Sequence, residues 1–222
     1  MTTPPATGLT MAEELLLLGL HPERSRFRVQ PRYLRYGLAA AVLAELEGYG
    51  SVAEERGRIV VPRPLRTGQP LLDQFLDGLA AGSPGSPGSA GKGRGEHLQR
   101  WLRRNGERVE RLAVDALVDR GAIRLDEQRA LGLFPYRRYP VRDHGLHGQV
   151  LGSFHAALER GVPDRRSRVL VGLALATDLA TRLGVPWRVR RELKPLVREQ
   201  WYAQAVHKQV NSDKAAANGG GA

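Results

Sequence analysis

Apolar positions recur at helical spacing over most of the chain, and this pattern predicts a mainly α-helical protein. In the first segment, LTMAEELLLLGL (9–20), Thr10 and Glu13 have the spacing of a capping box, which satisfies backbone N–H groups at a helix start. Four consecutive leucines (15–18) point in every direction around a helix, so we expect this helix to be buried on all sides. A His-Pro pair ends it.

A second helix is predicted to begin near Pro31 and to continue through Gly48. Apolar residues recur at every fourth position within it and form one core-facing stripe: Leu34, Leu38, Val42 and Leu46. The segment 48–62 then predicts a small hairpin, because two short strands flank a polar turn and Val60 and Val61 favour β structure.

The middle of the chain combines helical segments with one low-complexity stretch. A helix is predicted over 67–80, with Pro70 in its first turn. Residues 81–95 are mostly Gly, Ser and Pro, so we expect a flexible loop that buries too little apolar surface to become ordered. Helical sequence resumes over 96–120, where an Asn-Gly pair (105–106) predicts a break into two helices.

The second of these two helices carries an apolar stripe beside a dense group of charges. The residues predicted to form the buried stripe are Val109, Leu112, Ala113, Ala116 and Leu117. Arg108 and Arg111 lie outside the stripe, interleaved with Glu107 and Glu110. This charge pattern is typical of a solvated helix face.

The remainder of the chain predicts one hairpin and three helical segments. Asp126 is expected to cap a short helix, and LGLFPYRRYPV (131–141) then predicts an exposed hairpin, with Leu131 and Leu133 anchoring its base in the core. Helices are predicted over three segments: 147–160, 164–183 and 186–210. In the last of them, Pro195 requires a kink or a restart.

The chain ends are predicted from composition to be disordered, over residues 1–8 and 212–222. The predicted domain therefore covers 9–211. Its expected fold class is mainly α: a single helical-bundle domain with one or two small β-hairpins.

The charge balance indicates an anionic partner. The net charge is +11 and the sequence pI is near 10.7, with 30 arginines among 34 basic residues. Nucleic acid, an anionic membrane and an acidic protein surface would all suit such a chain. Arginine's planar fork suits phosphate, but a GC-rich genome would give the same arginine bias, so composition leaves the class of partner open.

Other features exclude several classes of protein. The absence of cysteine excludes disulfides and thiolate metal sites and fits a reducing compartment. The first ten residues lack the basic start and apolar core of a signal peptide. The longest apolar stretch (169–183) is too short to span a bilayer and contains Asp178, so we expect a soluble, cytoplasmic protein.

No group of residues predicts catalysis, and we expect no cofactor and no metal. A Gly-Lys pair (91–92) resembles part of a phosphate-binding loop, but Ser86 replaces its first glycine and Gly93 replaces the magnesium-binding Ser or Thr. His144 and His147 lack the spacing and the neighbouring carboxylate of a metal site, which favours plain turn residues. Nucleic-acid modules are also absent, which leaves charge-driven nucleic-acid binding as an alternative only.

Six segments, taken together, resemble the Golgi phosphoprotein 3 family. They occur in the family's order and cover the chain from Leu9 to about Val210. The segments are LTMAEELLLLGL (9–20), YGLAAAVLAEL (36–46), GQPLLD (68–73), ALVDRGAI (116–123), LGLFPYRRYP (131–140) and WYAQAVHKQV (201–210). The arginine-rich composition, the Gly/Ser/Pro loop and the short N-terminal region are similar to the family's bacterial branch.

The resemblance implies a mostly helical, non-enzymatic peripheral membrane protein that binds phosphatidylinositol 4-phosphate. In Golgi members the protein also holds the cytosolic tails of glycosyltransferases, so protein tails are possible cargo. A hairpin at the position of LGLFPYRRYP contributes in the family to membrane contact and self-association.

The family's lipid pocket aligns with substituted positions in this chain. Gln30 takes the place of a pocket tryptophan and Ala39 that of a pocket arginine. Two further pocket arginines fall on Glu107 and Glu110 when counted back from the LVxxG segment, and a one-residue shift gives two arginines instead. We therefore predict that a less specific headgroup site uses Arg32, Arg35, Arg108 and Arg111.

Membrane or oligomer contact is predicted for the hairpin residues Leu133, Phe134, Tyr136, Arg137, Arg138 and Tyr139. Aromatic rings favour the headgroup region of a bilayer, and arginines bind its phosphates. The expected function is reversible binding to anionic phospholipid at the cytoplasmic membrane face, without catalysis. The alternative is a soluble adaptor, in which the same residues dock protein partners or build a homo-oligomer.

Overall fold

A computed structural model describes residues 7–81, 95–130 and 134–219 of the chain. Within these ranges the helices are α1 (Met11–Gly19), α2 (Pro31–Gly48), α3 (Pro70–Ala81), α4 (Leu98–Asp119), α5 (His144–Glu159), α6 (Arg165–Ala176), α7 (Leu179–Arg182), α8 (Trp187–Glu192), α9 (Lys194–Glu199) and α10 (Trp201–Gly219). The strands are β1 (Leu20–His21), β2 (Arg26–Phe27), β3 (Ala53–Glu55), β4 (Arg58–Val60), β5 (Glu96–His97), β6 (Asp126–Ala130) and β7 (Phe134–Arg138). The predicted fold class, mainly α with small antiparallel strand pairs, is confirmed.

The core is built around α1, which packs against α2 and α4. As predicted, α1 is buried over its whole length and begins with a capping box. The Thr10 N–H donates to Glu13 Oε2 at 2.6 Å, and the Glu13 N–H donates to Thr10 Oγ1 at 3.3 Å. The four residues of the predicted α2 stripe are all buried, and α2 is buried from Tyr33 to Leu46 except at Arg35. Other helices surround α2, so it buries more than one face.

The helix α4 is continuous, so the predicted break at Asn105-Gly106 is wrong. Gly106 lies against α2 instead, where a Cβ would come within 2.9 Å of the Arg35 carbonyl oxygen. Glycine therefore allows the two helix backbones to approach closely, and it is not used here as a C-cap. The predicted stripe is buried at Val109, Ala113 and Leu117 and half-buried at Leu112 and Ala116.

The strands form three small antiparallel sheets. The hairpin predicted over 48–62 is present as β3–β4, and β5 adds a third strand that was not predicted. The expectation that Asp126 caps a short helix is wrong, because residues 126–130 form β6 and pair with β7. The register runs from Asp126 opposite Arg138 to Ala130 opposite Phe134. The backbone of residues 126–130 is therefore paired with β7 and does not form the hydrogen bonds of a helix.

The C-terminal helices follow the predicted segments with two added breaks, one at Asp178 and one at Gln200 between α9 and α10. The chain restarts between α8 and α9 next to Pro195, as predicted. The apolar segment predicted over 164–183 divides into α6 and α7 at Asp178, whose φ of +63° is left-handed.

The predicted disordered tail is wrong for residues 212–219, because α10 continues to Gly219. Asp213 Oδ2 accepts a hydrogen bond from the Tyr36 hydroxyl at 3.0 Å and lies 3.5 Å from Arg32 Nη1. These contacts are made to α2, so the sequence of the tail does not show them. The segments 1–6, 82–94 and 131–133, with the expected anchors Leu131 and Leu133, lie outside the described residues.

Candidate functional site

A cleft of about 630 Å³ lies between the β6–β7 hairpin, β2 and the neighbouring sides of α2 and α4. Charges of both signs line it in equal number: Arg26, Arg35, Arg137, Glu107, Glu110 and Glu127. The rings of Phe27, Tyr136 and Tyr139 also line it. The cleft is therefore aromatic and of mixed charge, not a cationic pocket.

At the inner wall of the cleft, Arg35 and Glu110 form an ion pair between α2 and α4. Arg35 Nε donates to Glu110 Oε2 at 2.6 Å, and the Glu110 side chain is only 5% exposed. The hydrogen bond to Glu110 raises the pKa of the Arg35 guanidinium. This arginine is already neutralised by a carboxylate, so it offers less to an anionic headgroup than a free arginine would.

Tyr139 belongs to the core and not to the exposed hairpin. Its side chain is buried, and its ring stacks on Phe27 with centroids 4.8 Å apart. Its hydroxyl donates to Glu110 Oε1 at 3.3 Å, and burial, with the Glu110 charge, raises the pKa of Tyr139 to about 12. The placement of Tyr139 among the residues predicted for membrane or oligomer contact is therefore wrong, because a buried ring reaches neither a bilayer nor a second subunit.

The four arginines predicted for the headgroup site do not converge on this cleft. Only Arg35 lines it. Arg32 is exposed beside Asp213, and Arg111 is exposed outside the cleft. The Cζ atom of Arg108 lies 5.3 Å from the centroid of the Phe75 ring, towards α3. Arg108 and Arg111 therefore do not lie with Arg32 and Arg35 around one cleft.

Glu107 and Glu110, onto which two pocket arginines of the family align without the one-residue shift, both line the cleft. The other two substituted positions are also unsuited to binding a phosphate group. Gln30 precedes α2 and is exposed, and Ala39 is fully buried in the core, where an arginine would not fit. The geometry of this cleft therefore does not favour a phosphoinositide pocket.

Three consecutive residues of β7 are exposed to solvent, and two of them, Tyr136 and Arg137, also line the cleft. Tyr136 is 43% exposed, and Arg137 and Arg138 are exposed beside it. Arg137 Nε donates to Glu127 Oε1 at 3.2 Å, but this pair is solvent-exposed on both sides and therefore contributes little free energy. The side chain of Phe134 and the whole of Leu133 lie outside the described part of the structure.

The turn between β1 and β2 lies beside the end of β7, because the Tyr139 N–H donates to the Ser25 carbonyl at 2.8 Å. It adds two exposed arginines, Arg24 and Arg26, that form no ion pair within the described residues. We call Arg24, Arg26, Tyr136, Arg137 and Arg138 the hairpin surface. Sequence reasoning missed the first two, although the alternating arginines of ERSRFRV (23–29) were a visible signal.

Arg28, the third arginine of that run, binds the backbone and is not part of the hairpin surface. Its Nε donates to the Leu20 carbonyl at 3.0 Å, and burial lowers the pKa of its guanidinium. Arg28 therefore holds the β1–β2 pair together, while Arg24 and Arg26 remain in solvent.

Other kinds of site find no support in the described ranges. No group of three His, Asp or Glu residues within them has the geometry of a metal site. His147, one of the two histidines considered from the sequence, is buried, and burial lowers its pKa. None of the helices in the described ranges is long and apolar enough to cross a bilayer.

The fold and the hairpin surface define a single-domain, mainly α protein with a basic, aromatic hairpin exposed to solvent. The chain matches the family model of Golgi phosphoprotein 3 over residues 11–212 and belongs to that family. The resemblance found in the sequence is thereby confirmed. Comparison with curated proteins gave no match.

Proposed function

We propose that this protein is a non-enzymatic peripheral membrane protein that binds anionic phospholipid through the hairpin surface. The single observation that carries the proposal is the junction between β7 and the β1–β2 turn. The hydrogen bond from the Tyr139 N–H to the Ser25 carbonyl joins the turn that carries the exposed Arg24 and Arg26 to the end of β7, which carries the exposed Arg137 and Arg138. The binding is reversible and takes place at the cytoplasmic face of the membrane.

Electrostatic attraction supports the proposal. Each basic group near an anionic bilayer contributes about 1 kcal/mol, so the four arginines of the hairpin surface are enough for weak, reversible association. The net charge of +11 adds a long-range attraction that salt screens. The exposed ring of Tyr136 suits the headgroup region, where its hydroxyl remains hydrated and its ring contacts acyl chains.

The proposed recognition is of negative charge and not of one particular headgroup. In the neighbouring cleft, Arg35 is paired with Glu110, and Glu107 lines the same space. A phosphoinositide would have to approach these carboxylates, which opposes binding there. Discrimination among anionic lipids of equal charge is therefore expected to be weak.

Co-sedimentation with vesicles tests the proposal. The vesicles contain phosphatidylcholine alone or with phosphatidylglycerol, cardiolipin or a phosphoinositide, each at low and at raised salt. We expect binding to all three anionic compositions, none to phosphatidylcholine alone, and weaker binding at raised salt. Protein that stays in the supernatant with every anionic composition at low salt would overturn the proposal.

The adaptor alternative uses the same hairpin, since Tyr136 and the two β7 arginines would also suit a protein partner or a second copy of the chain. The double variant Arg137→Ala/Arg138→Ala separates the two functions. Lipid binding predicts loss of vesicle association with an unchanged oligomeric state, whereas an adaptor predicts the reverse. The matched control is Arg182→Ala/Arg191→Ala, which removes the same charge from two exposed arginines elsewhere.

A further inference from the structure

A second cleft, of about 390 Å³, lies among the C-terminal helices, and no residue lines both it and the first cleft. It is enclosed by α6, α7, α8, α9 and α10. The polar side chains that define this C-terminal cleft are Thr181, Arg190, Lys194, Arg198, Gln204 and His207. Leu175 and Val197 form part of an apolar wall.

The charge of the C-terminal cleft is strongly positive. Two arginines and one lysine line it against one carboxylate, that of Asp178. That carboxylate is already paired, since Lys214 Nζ lies 2.5 Å from its Oδ2 atom. Burial lowers the pKa of His207, and the positive charges of Lys214 and Lys194 lower it further. In contrast to the first cleft, no unpaired carboxylate among the described residues of this lining opposes an anion.

Arg190 supplies a donor that lacks an acceptor. Its Nη1 donates to Thr181 Oγ1, but its Nε is buried and has no hydrogen-bond partner among the described residues. A buried donor without a partner is uncommon and costs free energy, so the Arg190 guanidinium would gain an acceptor by turning towards an oxyanion bound in the cleft that it lines. Guanidinium groups bind phosphate oxygens in pairs, which makes an arginine-lined cleft suited to phosphate.

We propose that the C-terminal cleft binds a phosphate-type oxyanion, held by Arg190, Lys194 and Arg198. Gln204 and Thr181 contribute neutral polar groups at the same cleft. The ligand is a phosphomonoester, and the apolar wall suits a short apolar portion attached to the phosphate. Such a group occurs on small metabolites and on lipid headgroups, and the two sources share this chemistry.

Isothermal titration with inorganic phosphate tests the site directly. We expect saturable binding to the full-length protein, and loss of one charge-assisted contact in Arg190→Lys should weaken it about tenfold because the Nε donor disappears while the charge remains. Absence of saturable binding at millimolar phosphate overturns the proposal. Equal affinity of Arg190→Lys and the unmodified protein also overturns it.

A second variant and its control leave Arg190 unchanged, so their result does not depend on whether Arg190→Lys folds. Lys194 and Arg198 are exposed and form no ion pair within the described residues, so Lys194→Gln/Arg198→Gln is expected to fold normally and to lose phosphate binding. The matched control Arg182→Gln/Arg191→Gln removes the same charge outside the cleft and should retain it. Equal weakening in both double variants would show diffuse attraction and overturn the site.

Vesicles of phosphatidylcholine with phosphatidic acid, which carries a phosphomonoester, show whether the bound phosphate belongs to a lipid headgroup or to a soluble metabolite. Loss of vesicle binding in Lys194→Gln/Arg198→Gln assigns the site to a lipid headgroup, and retained vesicle binding with lost phosphate binding assigns it to a soluble ligand. Both results uphold the oxyanion site. The hairpin variant Arg137→Ala/Arg138→Ala should bind phosphate normally, so this inference and the proposed function fail separately.

Discussion

Arg35 on α2 and Glu110 on α4 lie 2.6 Å apart, and the carboxylate of this pair is almost fully buried. Removing one partner of a buried pair leaves the other charge without compensation. We therefore expect Arg35→Ala to lower the free energy of unfolding by about 2–3 kcal/mol, measured by chemical denaturation.

Two further variants check the cause of that loss. Adding Glu110→Gln to Arg35→Ala should recover about 1 kcal/mol or more, because the stranded charge disappears. Arg32→Ala, at an exposed arginine on the same helix, should change stability by less than about 0.5 kcal/mol. If the two single arginine variants were equally stable, the buried pair would not be the source of the effect.

The close approach of α2 and α4 predicts a large effect of one methyl group. In Gly106→Ala the new Cβ would lie 2.9 Å from the Arg35 carbonyl oxygen and 3.0 Å from the Arg35 Cβ. We expect a destabilisation of about 1–3 kcal/mol, because neither helix backbone can move without disturbing the core. Thermal or chemical denaturation measures it.

The matched control for that substitution is Gly148→Ala on α5, where an added Cβ meets no atom of the described residues within 4 Å. Alanine has the higher helix propensity, so this variant should gain up to about 1 kcal/mol. A Gly106→Ala protein as stable as Gly148→Ala would contradict the inferred helix contact.

The raised pKa of Tyr139 predicts a loss of stability at alkaline pH. Burial raises that pKa from the ordinary value of 10 to about 12, so the unfolded chain releases the phenolic proton first as the pH rises. Stability that is fully present below pH 10 is therefore lost between pH 10 and about 12. Burial also raises the pKa of Tyr202 to about 12, so Tyr202 contributes to the loss of stability over the same pH range.

Denaturation curves across that pH range, with ultraviolet titration of tyrosinate, measure the effect. Tyr139→Phe should show a shallower loss of stability above pH 10, because phenylalanine has no proton to release. A slope identical to that of the unmodified protein would mean that Tyr139 titrates as it does in the unfolded chain.

The hairpin surface joins two separate parts of the chain, so both should matter for membrane binding. Arg24→Ala/Arg26→Ala is expected to weaken association with anionic vesicles as much as Arg137→Ala/Arg138→Ala, by about tenfold or more for two charges. Arg28→Ala differs, because its guanidinium bonds to the Leu20 carbonyl. Arg28→Ala is therefore expected to lower the melting temperature, and to weaken vesicle binding less than Arg24→Ala/Arg26→Ala does. Full vesicle binding by the Arg24/Arg26 variant would exclude the β1–β2 turn from the surface.

The last turns of α10 are expected to stabilise the fold. Asp213→Ala removes the acceptor of the Tyr36 hydroxyl and should cost about 1 kcal/mol of unfolding free energy. Ser212→Ala, at the exposed neighbouring position, is the control and should be nearly neutral. Equal stability of the two variants would show that residues beyond 211 contribute nothing to the packed domain.

Much of the local structure was readable from the sequence because its cause is local. The Thr10–Glu13 capping box needs only residues three positions apart, and the stripe of α2 follows from helical periodicity. The restart beside Pro195 likewise follows from one residue's covalent structure. In each case the determining atoms lie within one or two turns of each other.

The errors occurred where a distant partner decided the outcome. Gly106 has the sequence signature of a helix end, but its packing against Arg35 makes it a helix contact. Tyr139 stands among exposed hairpin residues, yet its ring stacks on Phe27, more than a hundred positions earlier. The tail after residue 211 has a disordered composition, and its contact with Tyr36 is invisible without the fold.

By itself, the sequence determined the mainly α class, most helix positions, the basic character and the family, because periodicity, caps and motif order are local or additive properties. Only the tertiary structure decided which charges meet. It paired Arg35 with Glu110, turned Arg108 towards Phe75, and brought Arg24 and Arg26 beside the β6–β7 hairpin. The physical reason is that charge pairing depends on distances across helices, and packing sets those distances.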